Sequence, residues 1–125
     1  MGAFVISKRF NGEFKFVFAS RKGKVIFTSI SCASKVLCEK IIEEVKGNIL
    51  GFGFTKVKAS GGKYAFRLTK EGLVLANSRK YTTELRLQKG IDEIVKYASV
   101  AEILDFSEND FAFPDADVIF DQQEE

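Results

Sequence analysis

The stretch Gly72–Lys96, GLVLANSRKYTTELRLQKGIDEIVK, has a looser copy of itself at Gly23–Lys46, GKVIFTSISCASKVLCEKIIEEVK. An internal repeat limits what a chain can fold into more than any local propensity, because both copies must find the same kind of shelter for their apolar faces. The likeness extends upstream. At an offset of 50, Phe4 meets Phe54, Gly12 meets Gly62, Phe14 meets Tyr64, Phe16 meets Phe66 and Phe18 meets Leu68. The offset then slips to 49, so that Gly23 meets Gly72, Val25 meets Val74, Ser29 meets Ser78, Ser34 meets Thr83 and Ile42 meets Ile91. A slip of one residue around Arg21–Gly23 is what a hairpin loop tolerates.

Each copy changes period part-way. Phe4–Phe10 alternates as a strand, and Asn11-Gly12 after it predicts a type I′ hairpin turn, which needs positive φ at both central residues. Glu13–Ser20 alternates cleanly, with Phe14, Phe16 and Phe18 on one face and Lys15, Val17 and Ala19 on the other. Lys24–Ser29 follows Arg21-Lys22-Gly23 as a third strand. From Ser34, an N-cap, the apolar positions Leu37, Cys38, Ile41, Ile42 and Val45 make a helical stripe that Gly47-Asn48 ends.

The second copy predicts strands over Ile49–Ala59, Lys63–Thr69 and Leu73–Asn77, with turns at Gly61-Gly62 and Lys70-Glu71-Gly72. Thr83 then caps a helix striped by Leu87, Ile91, Ile94 and Ala98. Gly90 lies inside that helix at a cost of roughly 1 kcal/mol relative to Ala, which a close approach of the helix to the sheet, or simple tolerance, accounts for.

Neither copy buries both its aromatic sheet face and its helix alone. The expected fold is α+β: two tandem β-β-β-α(-β) repeats sharing one antiparallel sheet, with both helices on one face. The domain reading is a body over residues 1–98, built of repeats 3–48 and 49–98, and an acidic extension over 99–125. In that extension Ala101–Phe106 and Asp117–Asp121 are short β-prone runs, and Pro114 bars helix or central strand between them.

NGEFKF at Asn11–Phe16, GKVIFTS at Gly23–Ser29 and GLVLANSRKY with KGIDEIVK inside Gly72–Lys96 resemble the YegP-like tandem-repeat family of small bacterial proteins. The likeness covers roughly Phe4–Lys96, with a weaker echo in PDADVIFD at Pro114–Asp121. The second repeat follows the family pattern through Gly72, Ser78, Tyr81, Gly90 and Ile91. The first departs from it, with Cys32 where Tyr is usual and Ile41 where Gly is usual. The resemblance implies strand exchange between the repeats, so that Ile49–Val57 crosses to the other half and a strand after Tyr97 crosses back. It implies a monomer for a tandem chain, with a dimer as the other state. The family's biochemical role is unassigned, so it supplies no catalytic residues.

Composition narrows the chemistry. The sequence has no His, which removes the commonest general base and metal ligand. Two cysteines are too few for a structural zinc site or a disulfide framework, and no catalytic residue, cofactor or metal is expected. Cys38 falls on the helical stripe as a small hydrophobe, and Cys32 has no evident activating partner. Ala59–Lys63 joins strand to strand, which makes it a hairpin turn and not a phosphate loop. Glu43-Glu44 and Asp92-Glu93 fall on helix surfaces, where a solvated face accounts for them.

Charge supplies the remaining signal. Met1–Lys96 carries all 19 Lys and Arg against 8 acidic residues, while Tyr97–Glu125 carries 9 acidic residues and no basic one. The expected function is a non-enzymatic binding or interaction module with a basic sheet face or rim. Its candidate contacts are Arg9, Lys15, Lys58 and Arg67, and its partner is anionic, a nucleic acid or an acidic protein. The alternatives are a tail-mediated or autoinhibited interaction protein and a His-independent enzyme using Cys32, Lys or carboxylates. No stretch approaches ~18 apolar residues, so no membrane contact is expected and a reducing cytoplasmic setting follows. Each distinctive residue of Gly72–Lys96 has a structural role, so the function is expected on the faces and tail around it.

Overall fold

A computed structural model describes residues 2–107. Seven strands and two helices follow in the order β1 (Ala3–Lys8), β2 (Phe14–Ala19), β3 (Val25–Ser29), α1 (Lys35–Gly47), β4 (Gly53–Lys58), β5 (Tyr64–Lys70), β6 (Leu73–Ser78), α2 (Glu84–Tyr97) and β7 (Glu102–Asp105). They form one mixed sheet, ordered β4-β5-β6-β3-β2-β1-β7. Each strand that follows a helix leaves its own hairpin. β4 starts a second meander at one edge, and β7 returns to lie beside β1 at the other.

That return corrects one expectation. The sheet is not wholly antiparallel, because β7 runs parallel to β1, with Val5 opposite Leu104. The chain reaches that edge after α2, which carries it across the sheet from β6 to the far side of β1. The sheet therefore continues beyond residue 98. The expected strand at Asp117–Asp121 lies outside the described residues.

β1 ends at Lys8, short of Phe10, and the Asn11-Gly12 turn is not type I′. Gly12 N–H donates to Arg9 C=O at 3.0 Å, Arg9 N–H to Glu13 C=O at 2.7 Å, and only Gly12, at φ 89°, is left-handed. This is a three-residue loop with a bulged glycine. Asn11 spends its side chain on the Glu13 N–H (3.0 Å) and not on a left-handed backbone. The second meander also uses three residues, Ser60–Gly62, closed by Ala59 N–H to Lys63 C=O at 2.8 Å. Type I′ geometry occurs instead at Glu71-Gly72, with φ of 52° and 82°. Its counterpart spends three residues, Arg21–Gly23, between Ser20 and Lys24. The one-residue slip in the sequence offset is this difference in loop length.

Both meanders share a device at their third strand. Ser29 Oγ accepts from Phe16 N–H at 2.9 Å and donates to Ile30 C=O at 2.8 Å; Ser78 Oγ accepts from Phe66 N–H at 2.8 Å and donates to Arg79 C=O at 2.7 Å. A hydroxyl replaces a missing ladder bond, so neither buried N–H is orphaned. Beyond it the chain rejoins the sheet through the isolated bridges Phe14–Cys32 and Tyr64–Tyr81.

Both helices cover the same face. Cys38, Ile42 and Val45 of α1 and Leu87, Ile91 and Ile94 of α2 join Phe4, Phe16, Phe18, Phe27, Phe66 and Leu68 in one buried cluster. The strand aromatics are thus core. Leu37, expected on the α1 stripe, lies at its margin and is exposed. Ser34 and Thr83 cap the helices as the sequence indicates, accepting from Leu37 N–H (3.2 Å) and Arg86 N–H (3.1 Å). Polar ties fix the helices to the sheet edges: Lys56 on β4 to Gln88 on α2 at 2.8 Å, and Lys35 on α1 to Asp105 on β7 at 3.1 Å. Burial raises the Asp105 pKa, but hydrogen bonds from Ser107 and the ion pair with Lys35 outweigh it and hold the carboxyl below its usual range.

Candidate anion-binding cleft

The four basic residues singled out in the sequence do not form one surface. Arg9 lies half-buried in the loop after β1. Lys15 projects from β2 on the face away from the helices, as its parity requires, but it is fully buried there. Lys58, the last residue of β4, pairs with Tyr64 of β5 and so shares the helix-side face, opposite to the one expected. Arg67 is exposed on the open face, beside Thr55 and Asn77, three strands from Lys15. Strand parity assigned Lys15 and Arg67 to a common face, but parity does not report burial or lateral distance.

A different basic constellation occurs where α2 begins. Pairing of β3 with β6 extends one residue past Ser78, through Arg79 N–H to Ile26 C=O at 3.0 Å. This brings the loop before β3 alongside the segment before α2. Between them lies a cleft of about 580 Å³. Lys24 and Arg79 line it from the sheet side, Arg86 and Lys89 from α2, and Ser20, Thr83 and Tyr81 add hydroxyls. Glu93 is its one carboxylate, and Leu85 and Ile26 its apolar contributions.

Local physics positions each group. Arg86 and Lys89 are three apart on one helix, so they share a face. The first turn of α2 adds the partial positive charge of its free N–H groups. The Arg79 guanidinium sits 5.8 Å from the Tyr81 ring centroid, a cation–π arrangement that orients it. The Tyr81 ring, buried, forms the floor.

That floor explains Gly90. A Cβ at position 90 would fall on the Tyr81 hydroxyl oxygen and 2.9 Å from its Cζ. The close approach is to a tyrosine side chain and not to the sheet. The first meander solves the same space in reverse. There Cys32 makes the bridge that Tyr81 makes, and Ile41 stands at the helical position matching Gly90. The two departures from the family pattern are therefore one exchange of volume: a small residue at the bridge with a large one on the helix. The first-half surface also loses two of these charges, with Ile30 and Leu37 where Arg79 and Arg86 stand, while Lys40 stands where Lys89 does.

The cysteines offer little nucleophilic chemistry. Both are free and fully buried. Burial pushes the Cys32 thiol up, against a lowering contact from Cys38, and pushes the Cys38 thiol up further. A protonated, enclosed thiol is not the exposed thiolate that catalysis uses. In native protein at neutral pH, alkylation of both thiols is expected to be at least tenfold slower than after unfolding in urea. Mass-resolved labelling checks this, and a fast-reacting Cys32 in native protein contradicts it.

The chain is 32% identical over 107 residues to a UPF0339 protein encoded in the ptx operon 5′ region of Stutzerimonas stutzeri, spanning 83% of this chain and 96% of the relative. It belongs to the UPF0339, YegP-like family. Escherichia coli YegP is 32% identical over 95 residues, 74% of this chain and 86% of that protein. The family described as "Domain of unknown function (DUF1508)" matches residues 59–105. The fold agrees with two UPF0339 solution structures. E. coli YegP superposes with a TM-score of 0.77 at 27% identity, over 87% of this chain and 96% of that one. A UPF0339 protein from Shewanella oneidensis gives 0.78 at 26% identity, over 90% and 98%. Among the described residues, no helix of this UPF0339 chain is long and apolar enough to cross a membrane.

Proposed function

We propose that this UPF0339 chain is a non-enzymatic binding module that holds a phosphate- or carboxylate-bearing partner in the cleft at the start of α2. The observation that carries the reading is the convergence of Lys24, Arg79, Arg86 and Lys89 on one concavity with hydroxyls and a buried tyrosine floor. Guanidinium groups suit such ligands because their forked donors match two oxygens at once. The paired serine devices and bridges support the further reading that the body is a duplicated unit, with the charged cleft formed where Lys24 of the first copy meets Arg79, Arg86 and Lys89 of the second. A single chain then supplies both halves of the sheet and acts as a monomer, and two buried, unpaired thiols suit a reducing cytoplasm.

Fluorescence anisotropy across a salt series tests the reading, with a single-stranded oligonucleotide in one arm and an acidic peptide in the other. Affinity for at least one is expected to fall linearly on logarithmic axes as salt rises. For the oligonucleotide, Arg86→Ala/Lys89→Ala is expected to make the slope shallower by about 1.4, since each phosphate contact on a single strand contributes about 0.7. Absence of binding to both at low salt, or slopes unchanged by the double substitution, would contradict it.

A further inference from the structure

The cleft at the start of α2 is not uniformly basic. Arg86, Gly90 and Glu93 stand at i, i+4 and i+7 on the helix, so they form one wall of it. Gly90 keeps the middle of that wall open for the Tyr81 ring, since a Cβ there would fall on the ring's hydroxyl. Along the wall the groups therefore run from a cation, past a hydroxyl, to a carboxylate. At ~1.5 Å of helix rise per residue, Arg86 and Glu93 lie about 10 Å apart along the axis.

Helix stabilisation does not account for Glu93. Its neighbour Asp92 accepts from Gln88 Nε2 at 2.9 Å, and Gln88 in turn accepts from Lys56 Nζ of β4, so that acid serves the tie to the sheet edge. Glu93 instead lines the cleft, half-buried. Lys89 precedes it by four residues, the less favourable order for a helix ion pair. A carboxylate among four cations weakens the hold on any ligand that is anionic throughout. It strengthens the hold on a ligand whose anionic group is followed by a hydrogen-bond donor, because an ionised carboxylate only accepts.

The charged side chains of an acidic peptide offer acceptors alone, so Glu93 disfavours them. A nucleotide alternates: a phosphate at one end and, at the other, a base edge that donates wherever it carries an exocyclic amine. A cleft of about 580 Å³ holds one such unit and not a duplex, and Leu85, 67% exposed, offers the ring an apolar contact. We propose that the cleft takes one nucleotide of a single-stranded nucleic acid, its phosphate on Arg79, Arg86 and Lys89 and the amino edge of its base on Glu93. Adenine, cytosine and guanine carry that amine; uracil and thymine present carbonyl oxygens there, which a carboxylate repels. The preference rests on the anion reading of the cleft and narrows its ligand to one class.

The test compares short deoxycytidylate and deoxyuridylate homo-oligomers of equal length, which carry the same charge and differ at the base edge, an amine against a carbonyl. Anisotropy titrations of the full chain at one low salt concentration are expected to show the deoxycytidylate strand bound about fivefold more tightly or better, the lower end of what one base contact discriminates. An acidic peptide of equal charge is expected to bind more weakly than that strand. Glu93→Gln sets a donor beside the acceptor and is expected to bring the two strands within about twofold, chiefly by tightening deoxyuridylate. Equal affinities in the unsubstituted protein, both weakened by Arg86→Ala/Lys89→Ala, would overturn the base preference and leave the anion reading standing. A preference that survives Glu93→Gln would overturn Glu93 as its source. Tighter binding of the acidic peptide would overturn the nucleic acid in favour of a protein ligand. Binding of none of the three would overturn the anion reading and the preference together.

Discussion

Phe18→Ala is expected to cost about 3–5 kcal/mol, the range for truncating a fully enclosed aromatic. Phe18 has no exposed surface, lies 4.9 Å from the Phe4 ring centroid and stacks on Phe27 at 5.8 Å. Phe16 completes the group at 6.1 Å from both Phe4 and Phe27. Removing the central ring leaves a cavity walled by rigid aromatics that cannot collapse to fill it, which places the cost toward the upper end. Phe18→Leu supplies the residue that the second half uses at the matching position, Leu68, and should lose less. Equilibrium urea unfolding checks both. A loss below about 1 kcal/mol for Phe18→Ala would mean that this cluster does not hold the first meander together.

The exchange between Tyr81–Gly90 and Cys32–Ile41 gives the second large effect. Gly90→Ile removes a glycine from a helix interior, which by propensity alone gains about 0.5 kcal/mol. It also drives a branched side chain into the Tyr81 hydroxyl, and overpacking of that kind costs about 1–3 kcal/mol. The clash wins, so the variant should be less stable. Tyr81→Cys alone should also destabilise, by about 3 kcal/mol, because it empties a buried ring site. Combined, the two substitutions import the first-half solution, in which the helical side chain occupies the space the ring vacates. The double variant should therefore be more stable than the sum of the single losses predicts, with a coupling of about 1–3 kcal/mol. Strict additivity would show that the two positions do not share one volume.

How much of this is legible in the sequence depends on the range of the interactions. Alternation through Phe14–Phe18 and the stripe Leu87, Ile91, Ile94 are periodic signals that local geometry imposes, and both emerge as core. The caps Ser34 and Thr83 are equally local. The Asn11-Gly12 turn differs in type from the expected one because another solution satisfies the same residues: a longer loop in which Asn11 caps Glu13 N–H and only Gly12 turns left-handed. The direction of β7 is not legible in Glu102–Asp105, since it is set by the edge strand that β7 joins, β1.

The site illustrates the same divide. Reading parity along single strands selected Lys15, Lys58, Arg9 and Arg67, which the fold scatters over two faces and a loop. The cleft residues carried a weaker signal. Arg79, Arg86 and Lys89 cluster in the best-preserved stretch, and the last two share a helix face. That stretch was expected only to build the fold, yet it lines the cleft. Lys24 could not have been added from sequence, because only β3–β6 pairing brings it there.

The most direct test of the binding account is a map of where a polyanion touches the full chain. Backbone and side-chain NMR shifts are followed while an oligonucleotide, or an acidic peptide, is titrated in at low salt. The account predicts perturbations centred on Lys24, Arg79, Tyr81, Arg86 and Lys89, all lost in Arg86→Ala/Lys89→Ala. Perturbations centred on Lys58 or Arg67, or none at either titration, would contradict it.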